Sequence, residues 1–191
     1  MRYPDGHKQA VRQKIVEAAS RALRREGLAG VSIPALMKRA GLTHGGFYVH
    51  FCDRDELVAE AARFAGDETG ARVFDGTGSV EEMLEAYLSP QHVAHPEAGC
   101  VVAALGGEGA RQPTRVRRAF DEVARGLVVL VQRKLTPRRD RERAPSDEAL
   151  ALTARMVGAV VLARMVDDPK LAARILAAAK AEARVSLGGD D

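Results

Sequence analysis

Gly41-Leu42-Thr43-His44-Gly45-Gly46-Phe47-Tyr48-Val49-His50-Phe51 reads as a tight turn running into a short helix. Gly41 closes the helical pattern before it, as a residue free to take positive φ does at a helix C-terminus. Thr43 is suited to N-cap the short helix after it. Gly45 and Gly46 then fall in the first turn of that helix, where each costs roughly 1 kcal/mol against Ala in an exposed helix interior. They provide access in return, because only backbone stands between that turn and whatever it faces. This is the pattern of the second half of a helix-turn-helix, whose recognition helix enters the major groove by its N-terminal turn. Thr43 and His44 then reach base edges or phosphates, and Tyr48 and His50, one turn on, reach phosphates or pack. Leu42, Phe47 and Phe51 read as core. Taken alone, the stretch also fits an ordinary tight helix-helix corner.

The flanking sequence favours the first reading. From Lys8 to Gly27, Val11, Ile15, Ala18, Ala19, Ala22 and Leu23 recur at spacings of three and four, which predicts an amphipathic helix preceded by an arm at residues 1–7. Ser32 predicts an N-cap with Pro34 tolerated in the first turn of a short helix that runs to about Ala40. The free N–H groups of that first turn are able to hold a phosphate, which would give Ser32 a positioning role besides its cap. After the stretch, Asp53 caps a helix carrying Leu57, Val58, Ala61, Ala62, Phe64 and Ala65 towards about Phe74. Arg54, at its start, is expected to face phosphate. Gly66 and Gly70 imply either a bend or close packing. Through residue 52 there are nine Lys and Arg against three acids, a surplus of six, whereas the remainder holds 20 against 23. A basic N-terminal third on a slightly acidic body suits a polyanion partner.

Residues 8–64 resemble the DNA-binding half of the TetR/AcrR family of one-component regulators. The resemblance rests on Ser32, Ala40-Gly41-Leu42-Thr43, Gly45, Phe47-Tyr48, His50-Phe51 and Asp53-Arg54-Asp55-Glu56-Leu57, in one order and spacing. The sequence departs from the common form at Gly46 and Cys52, so base preferences do not carry over. The resemblance implies a DNA-binding head formed by residues 1–52 and a helical ligand-binding and dimerisation body formed by residues 53–191. It also implies a fourth helix joining the two, and dimerisation through the last two helices.

The whole chain agrees with an all-α protein of about nine helices. It has 191 residues, 46% hydrophobic and only 4% aromatic, with no Trp, and no period-two run long enough for a strand. Its two cysteines, Cys52 and Cys100, in a chain without a signal peptide, point to a reducing, cytoplasmic location rather than a structural disulfide. No apolar run approaches the roughly 20 residues needed to span a bilayer. His92-x-x-His95 with Glu97 and Cys100 nearby lacks a second ligand pair at recognisable spacing, so no metal or other cofactor is expected. No Ser-His-acid or Cys-His arrangement stands out, which leaves a helical-scaffold enzyme as the alternative of another class.

Within the body, Asp75-Gly76-Thr77-Gly78 is a loop and Ser79-Val80-Glu81-Glu82 a capping box. Ser89-Pro90 breaks the helix that follows, and residues 90–99 read as a loop. Cys100 opens a short helix that ends in Gly106-Gly107-Glu108-Gly109. It reads as a buried small residue, a pocket-lining residue, or a thiol that meets electrophiles or oxidants. Thr114 caps a long amphipathic helix to about Leu135, and residues 137–145 form a charged linker. Ser146 caps a helix that is apolar nearly all round at 156–163, and such a helix is buried on two sides. A final Ala-rich helix spans about 169–187. Met83, Tyr87, Cys100, Ala104, Phe120 and Ala124 are the expected ligand-pocket residues. Met156, Val160, Ala163, Ile175 and Ala179 are expected at a dimer interface. Together these readings predict a homodimeric repressor released from a palindromic double-stranded DNA operator by a small, mostly apolar effector, with modification of Cys100 as the alternative trigger.

Overall fold

In the computed structural model, which describes residues 5–136 and 144–188, every regular element among the described residues is helical. The head comprises α1 (Asp5–Glu26), α2 (Ile33–Arg39) and α3 (Phe47–His50). The body continues as α4 (Arg54–Thr69), α5 (Val80–Tyr87), α6 (Pro90–Ala94), α7 (Val101–Gly109), α8 (Thr114–Leu135), α9 (Asp147–Met165) and α10 (Pro169–Gly188). Residues 1–4 of the arm and 137–143 of the charged linker lie outside the described residues.

The caps explain most boundaries. Ser32 Oγ accepts from Ala35 N, Asp53 from Glu56 N and Ser146 from Ala149 N. Ser79 and Glu82 form the reciprocal capping box. Thr114, expected to cap α8, is instead its first residue and makes no side-chain cap bond. The segment 90–99 is not a plain loop. Ser89 N-caps α6 with Pro90 in its first turn, and a 3-10 turn follows at Pro96–Ala98. The same Ser-Pro pair that stops α5 starts α6, since proline's missing N–H costs nothing at a first helical position.

Two apolar clusters hold the molecule. The first joins Ile15, Leu23, Leu36, Phe47, Phe51 and Leu57 to Val101 and Leu105 of α7 and to Val116, Ala119 and Phe120 of α8. The second packs Met83, Leu84, Tyr87, Leu127 and Val131 against Leu152, Met156, Val160 and Leu176. Because the first cluster spans both regions, the head shares its core with α7 and α8. Glycines allow these helices to approach closely. A Cβ on Gly66 would lie 2.9 Å from Val123 Cγ1, and one on Gly109 would lie 2.5 Å from the Phe120 ring. Gly66 is therefore close packing within α4, and the backbone changes to a π turn only at Gly70–Asp75.

The residues expected at a dimer interface are mostly buried within the chain itself. Met156, Val160 and Ala163 face the protomer's own second cluster, as does Ala179, and Ile175 is half-buried against it. The inward stripe of α9 covers α6, α7, α8 and α10. What α9 and α10 present outward is Leu150, Leu162, Met165, Leu171 and Val185.

Candidate nucleic-acid interface and effector cleft

The recognition segment begins with Gly41 at φ 74°, a left-handed conformation that favours glycine. From there the chain turns through Leu42 into a 3-10 turn, His44–Gly46, that continues as α3. Phe47 and Phe51 stack at 5.5 Å and are buried, which fixes this segment on the head. The opposite side is open. Thr43, His44 and Gly45 are exposed, a Cβ on Gly45 would meet nothing within 4 Å, and Tyr48 and Val49 are 64% and 60% exposed. Thr43 occupies the N-cap position yet makes no side-chain cap bond, so its hydroxyl is not committed to the turn. Gly46 is half-buried, near Met37 and Thr43. Exposed aromatic and β-branched side chains beside two glycines make a surface that a groove can approach closely. Val49 is not singled out by sequence because it reads as one more apolar helix residue.

The other expected contacts are less open. Ser32 is exposed, with its Oγ engaged as the α2 cap. His50 is half-buried, and its Nδ1 is buried without a hydrogen-bond partner among the described residues. Burial, with the positive Lys8 and Arg12 nearby, holds its imidazole below the usual histidine range. Arg54 donates from Nη2 to the Leu28 carbonyl, which ties the start of α4 to the turn just past α1. A second arginine, which no sequence motif marks, does similar work. Arg12 donates to the His50 carbonyl, pairs with Glu56 at 2.8 Å and with Glu60, and lies 4.2 Å over the Phe51 ring. Glu56 also accepts from the Cys52 backbone N–H at 2.7 Å. The Cys52 thiol and N–H, then Arg12, draw its carboxyl down to about 2. The end of the recognition helix is thus held by ionic contacts to α1 and α4.

A cleft of about 490 Å³ opens between α4 and α8, lined on its apolar side by Cys100, Val102, Val123, Leu127 and Leu130 and at its rim by the Arg63–Glu122 pair, Asp67 and Arg133. Of the expected pocket residues, Cys100 lines it. Met83, Tyr87 and Phe120 are core side chains, and Ala104 and Ala124 are half-buried outside the lining. The facing of α4 on α8, set by Gly66, decides which residues meet the cleft, and periodicity carries no information on that. His92 and His95, paired in sequence, separate in space. His92 is buried between the Tyr87 carbonyl, 2.7 Å from its Nδ1, and the Cys100 N–H, which donates to Nε2 at 2.9 Å. His95 is exposed beside Glu97.

Comparison with known proteins agrees with this geometry. Residues 15–61 match the family model described as bacterial regulatory proteins, tetR family. Comparison with curated proteins returns no match. Among solved structures, a TetR transcriptional regulator from Chloroflexus aurantiacus J-10-fl is similar at TM-score 0.74 and 22% identity, covering 95% of this chain and 96% of that one. The reduced form of Escherichia coli NemR gives 0.71 at 20% identity, covering 92% and 95%. The multidrug binding protein EbrR, complexed with imidazole, gives 0.57 at 22% identity, covering 88% and 93%. Residues 15–61 thus match the tetR-family model of bacterial regulatory proteins, and the chain shares the fold of the TetR regulators over nearly its whole length.

Proposed function

We propose that the chain is a homodimeric repressor that leaves a palindromic operator when a small, mostly apolar molecule enters the cleft between α4 and α8. The observation that carries this reading is that α4 runs directly from the recognition segment, held by Arg12 and Glu56, to the cleft lined by Gly66, Asp67 and Thr69. A ligand that separates α4 from α8 acts on the helix that carries the head. Differential affinity for two such states is all the switch requires. The cleft offers Val102, Val123, Leu127 and Leu130 as walls and two cations against two acids at its rim, which favours a largely apolar ligand with no strong net charge. The multidrug binding of EbrR is in keeping with such a site.

DNA would be read by Thr43, His44 and Tyr48, with Val49 against the groove wall and Ser32 placing a phosphate. Gly45 and Gly46 would let the backbone close on the duplex. Two heads about 34–36 Å apart would reach successive major grooves. The functional division is head at 1–52 and body at 53–191, and the setting is the cytoplasm, where the operator lies. Gel-shift and footprinting on the DNA flanking its own gene should show a protected palindrome, bound more weakly as salt rises. No protected palindrome, or binding indifferent to salt, sinks the reading.

A second trigger draws on the position of Cys100 at the cleft floor: covalent modification by an electrophile in place of reversible binding. Release from DNA after electrophile treatment should then be lost in Cys100→Ser. Full release in that variant eliminates the thiol as trigger, with Cys52→Ser as the companion control.

A further inference from the structure

The peptide unit linking Gly99 to Cys100 is gripped at both of its polar ends by different parts of the molecule. Its carbonyl, on Gly99, accepts a 2.7 Å hydrogen bond from Arg24 Nη1 of α1. Its N–H, on Cys100, donates to His92 Nε2 at 2.9 Å, and His92 is in turn held where Arg164 of α9 donates to its carbonyl at 2.6 Å. The side chain that follows, Cys100, forms part of the cleft wall, and Val101 and Val102 continue it. One peptide therefore meets the head and the cleft directly, and α9 by way of His92.

Its position is also tightly fixed. A Cβ on Gly99 would lie 2.6 Å from His92 Cδ2 and 2.9 Å from Arg164 Nη2, so the backbone there has no slack. Arg24 is equally constrained. Its side chain is fully buried, donating from Nη2 to Glu68 Oε2 at 2.5 Å and to Ser20 Oγ at 3.2 Å, and from Nε to the Ser20 carbonyl. A guanidinium held at four points transmits a displacement of any one of them, where a single ammonium would swivel. At the other end of α7, Glu108 Oε2 accepts from Leu28 N at 2.7 Å, just past α1. Both ends of α7 are thus tied to the C-terminal end of α1, and α7 starts at the cleft.

We infer that the Gly99–Cys100 peptide is the joint through which the cleft acts on the DNA-binding head, with Arg24 as the positioning residue that carries its movement into α1. The inference rests on the proposed function and adds to it a route distinct from α4. A ligand that pushes Cys100 and Val102 outward drags the Gly99 carbonyl, and Arg24 passes that shift to the helix against which the recognition segment is packed.

The test needs no effector, because Gly99→Ala supplies the displacement. Using the full-length chain and the DNA fragment footprinted beside its own gene, affinities are measured for wild type, Gly99→Ala, Arg24→Lys and the double variant. Arg24→Lys keeps a cation beside Glu68 but lacks the fork that also reaches Gly99. Gly99→Ala is expected to weaken DNA binding roughly tenfold, within the usual range of allosteric coupling. In the Arg24→Lys background the same change should have less than about a twofold effect, a non-additivity that marks a direct interaction. Equal losses in both backgrounds, or no loss in either, overturn the inference, since a merely structural defect at Gly99 would not depend on Arg24. Should Gly99→Ala fail to fold, Cys100→Met presses on the same peptide from the cleft side, with the same two outcomes. A wild-type chain that protects no palindrome takes down the proposed function itself, and one that binds while the variants behave additively takes down only the joint.

Discussion

At the scale of residues, His92 shows how a side chain that resembles a metal ligand in sequence becomes a fixed structural connector. Its Nδ1 donates to the Tyr87 carbonyl and its Nε2 accepts from Cys100 N–H, an arrangement open only to the neutral ring. Burial pushes its titration down to about 4, with Arg164, Arg72 and Arg24 adding positive charge nearby and the Tyr87 bond opposing the shift. In the unfolded chain the ordinary value is 6.5. Between these limits the unfolded chain binds a proton that the folded chain refuses, so stability contributed here is present above 6.5 and declines as pH falls towards 4. Urea unfolding at several pH values should show a steeper loss across that window for wild type than for His92→Gln. Parallel profiles would mean that His92 is not what titrates. Sequence assigns this histidine to a loop because Ser89-Pro90, the pair that starts α6 and so buries it, reads equally well as a break. The residues of the head are far more legible, since Phe47 and Phe51 must be core and Gly45 open in any packing of that turn. Arg54 is less legible, because a charged side chain at a helix start is equally able to reach a phosphate or, as its Nη2 does here, a stray carbonyl.

Elements are the most legible level, because caps and apolar spacing are local. The helices are predictable from Ser32, Asp53, Ser79, Ser146 and the three-and-four stripes; only α6 is an addition. How the elements face one another is not legible, because small residues set the approach of helices without announcing which neighbour they admit. Gly109 is the clearest case. In sequence it reads only as one of the glycines that end α7, yet its missing Cβ makes room for the Phe120 ring of α8. Gly107, two residues earlier in the same helix, has nothing within 4 Å of the Cβ it lacks. The same substitution should therefore have opposite signs. Gly109→Ala overpacks a filled site and is expected to cost about 1–3 kcal/mol. Gly107→Ala should gain up to about 1 kcal/mol from helix propensity alone. Denaturant midpoints of the two variants check this, and a Gly109→Ala protein as stable as wild type would mean that α7 and α8 are not in the contact described.

On the scale of the whole molecule, exposed apolar surface separates into two places. Among the described residues the exposed large hydrophobics are Tyr48 and Val49 on α3, and Leu150, Leu162, Met165, Leu171 and Val185 on α9 and α10. The first pair lies on the segment proposed to meet DNA. The second set lies on two helices packed together, with Ala151, Ala154, Ala178 and Ala181 also exposed on them. Small residues between larger apolar ones allow close approach of another helix pair, which suits a two-fold contact with a second copy. Sequence requires α9 to be covered on two sides but does not say by what, because an all-round apolar helix gives no sign of which side its own chain takes. The exposed stripe makes a sharp prediction. Leu162, 54% exposed, and Met165, 74% exposed, should tolerate Leu162→Glu with Met165→Glu as a folded protein that sediments as a monomer. Val160→Glu, at a fully buried position, should instead unfold. The monomeric variant keeps both the head and the cleft, so its loss is confined to bivalency. Operator affinity should fall by at least about 100-fold, the scale on which linking two weak sites raises avidity, while binding to a single half-site stays as in wild type. A double variant that still sediments as a dimer would place the subunit contact elsewhere. One that is monomeric yet holds the full operator undiminished would show that two heads are not read together.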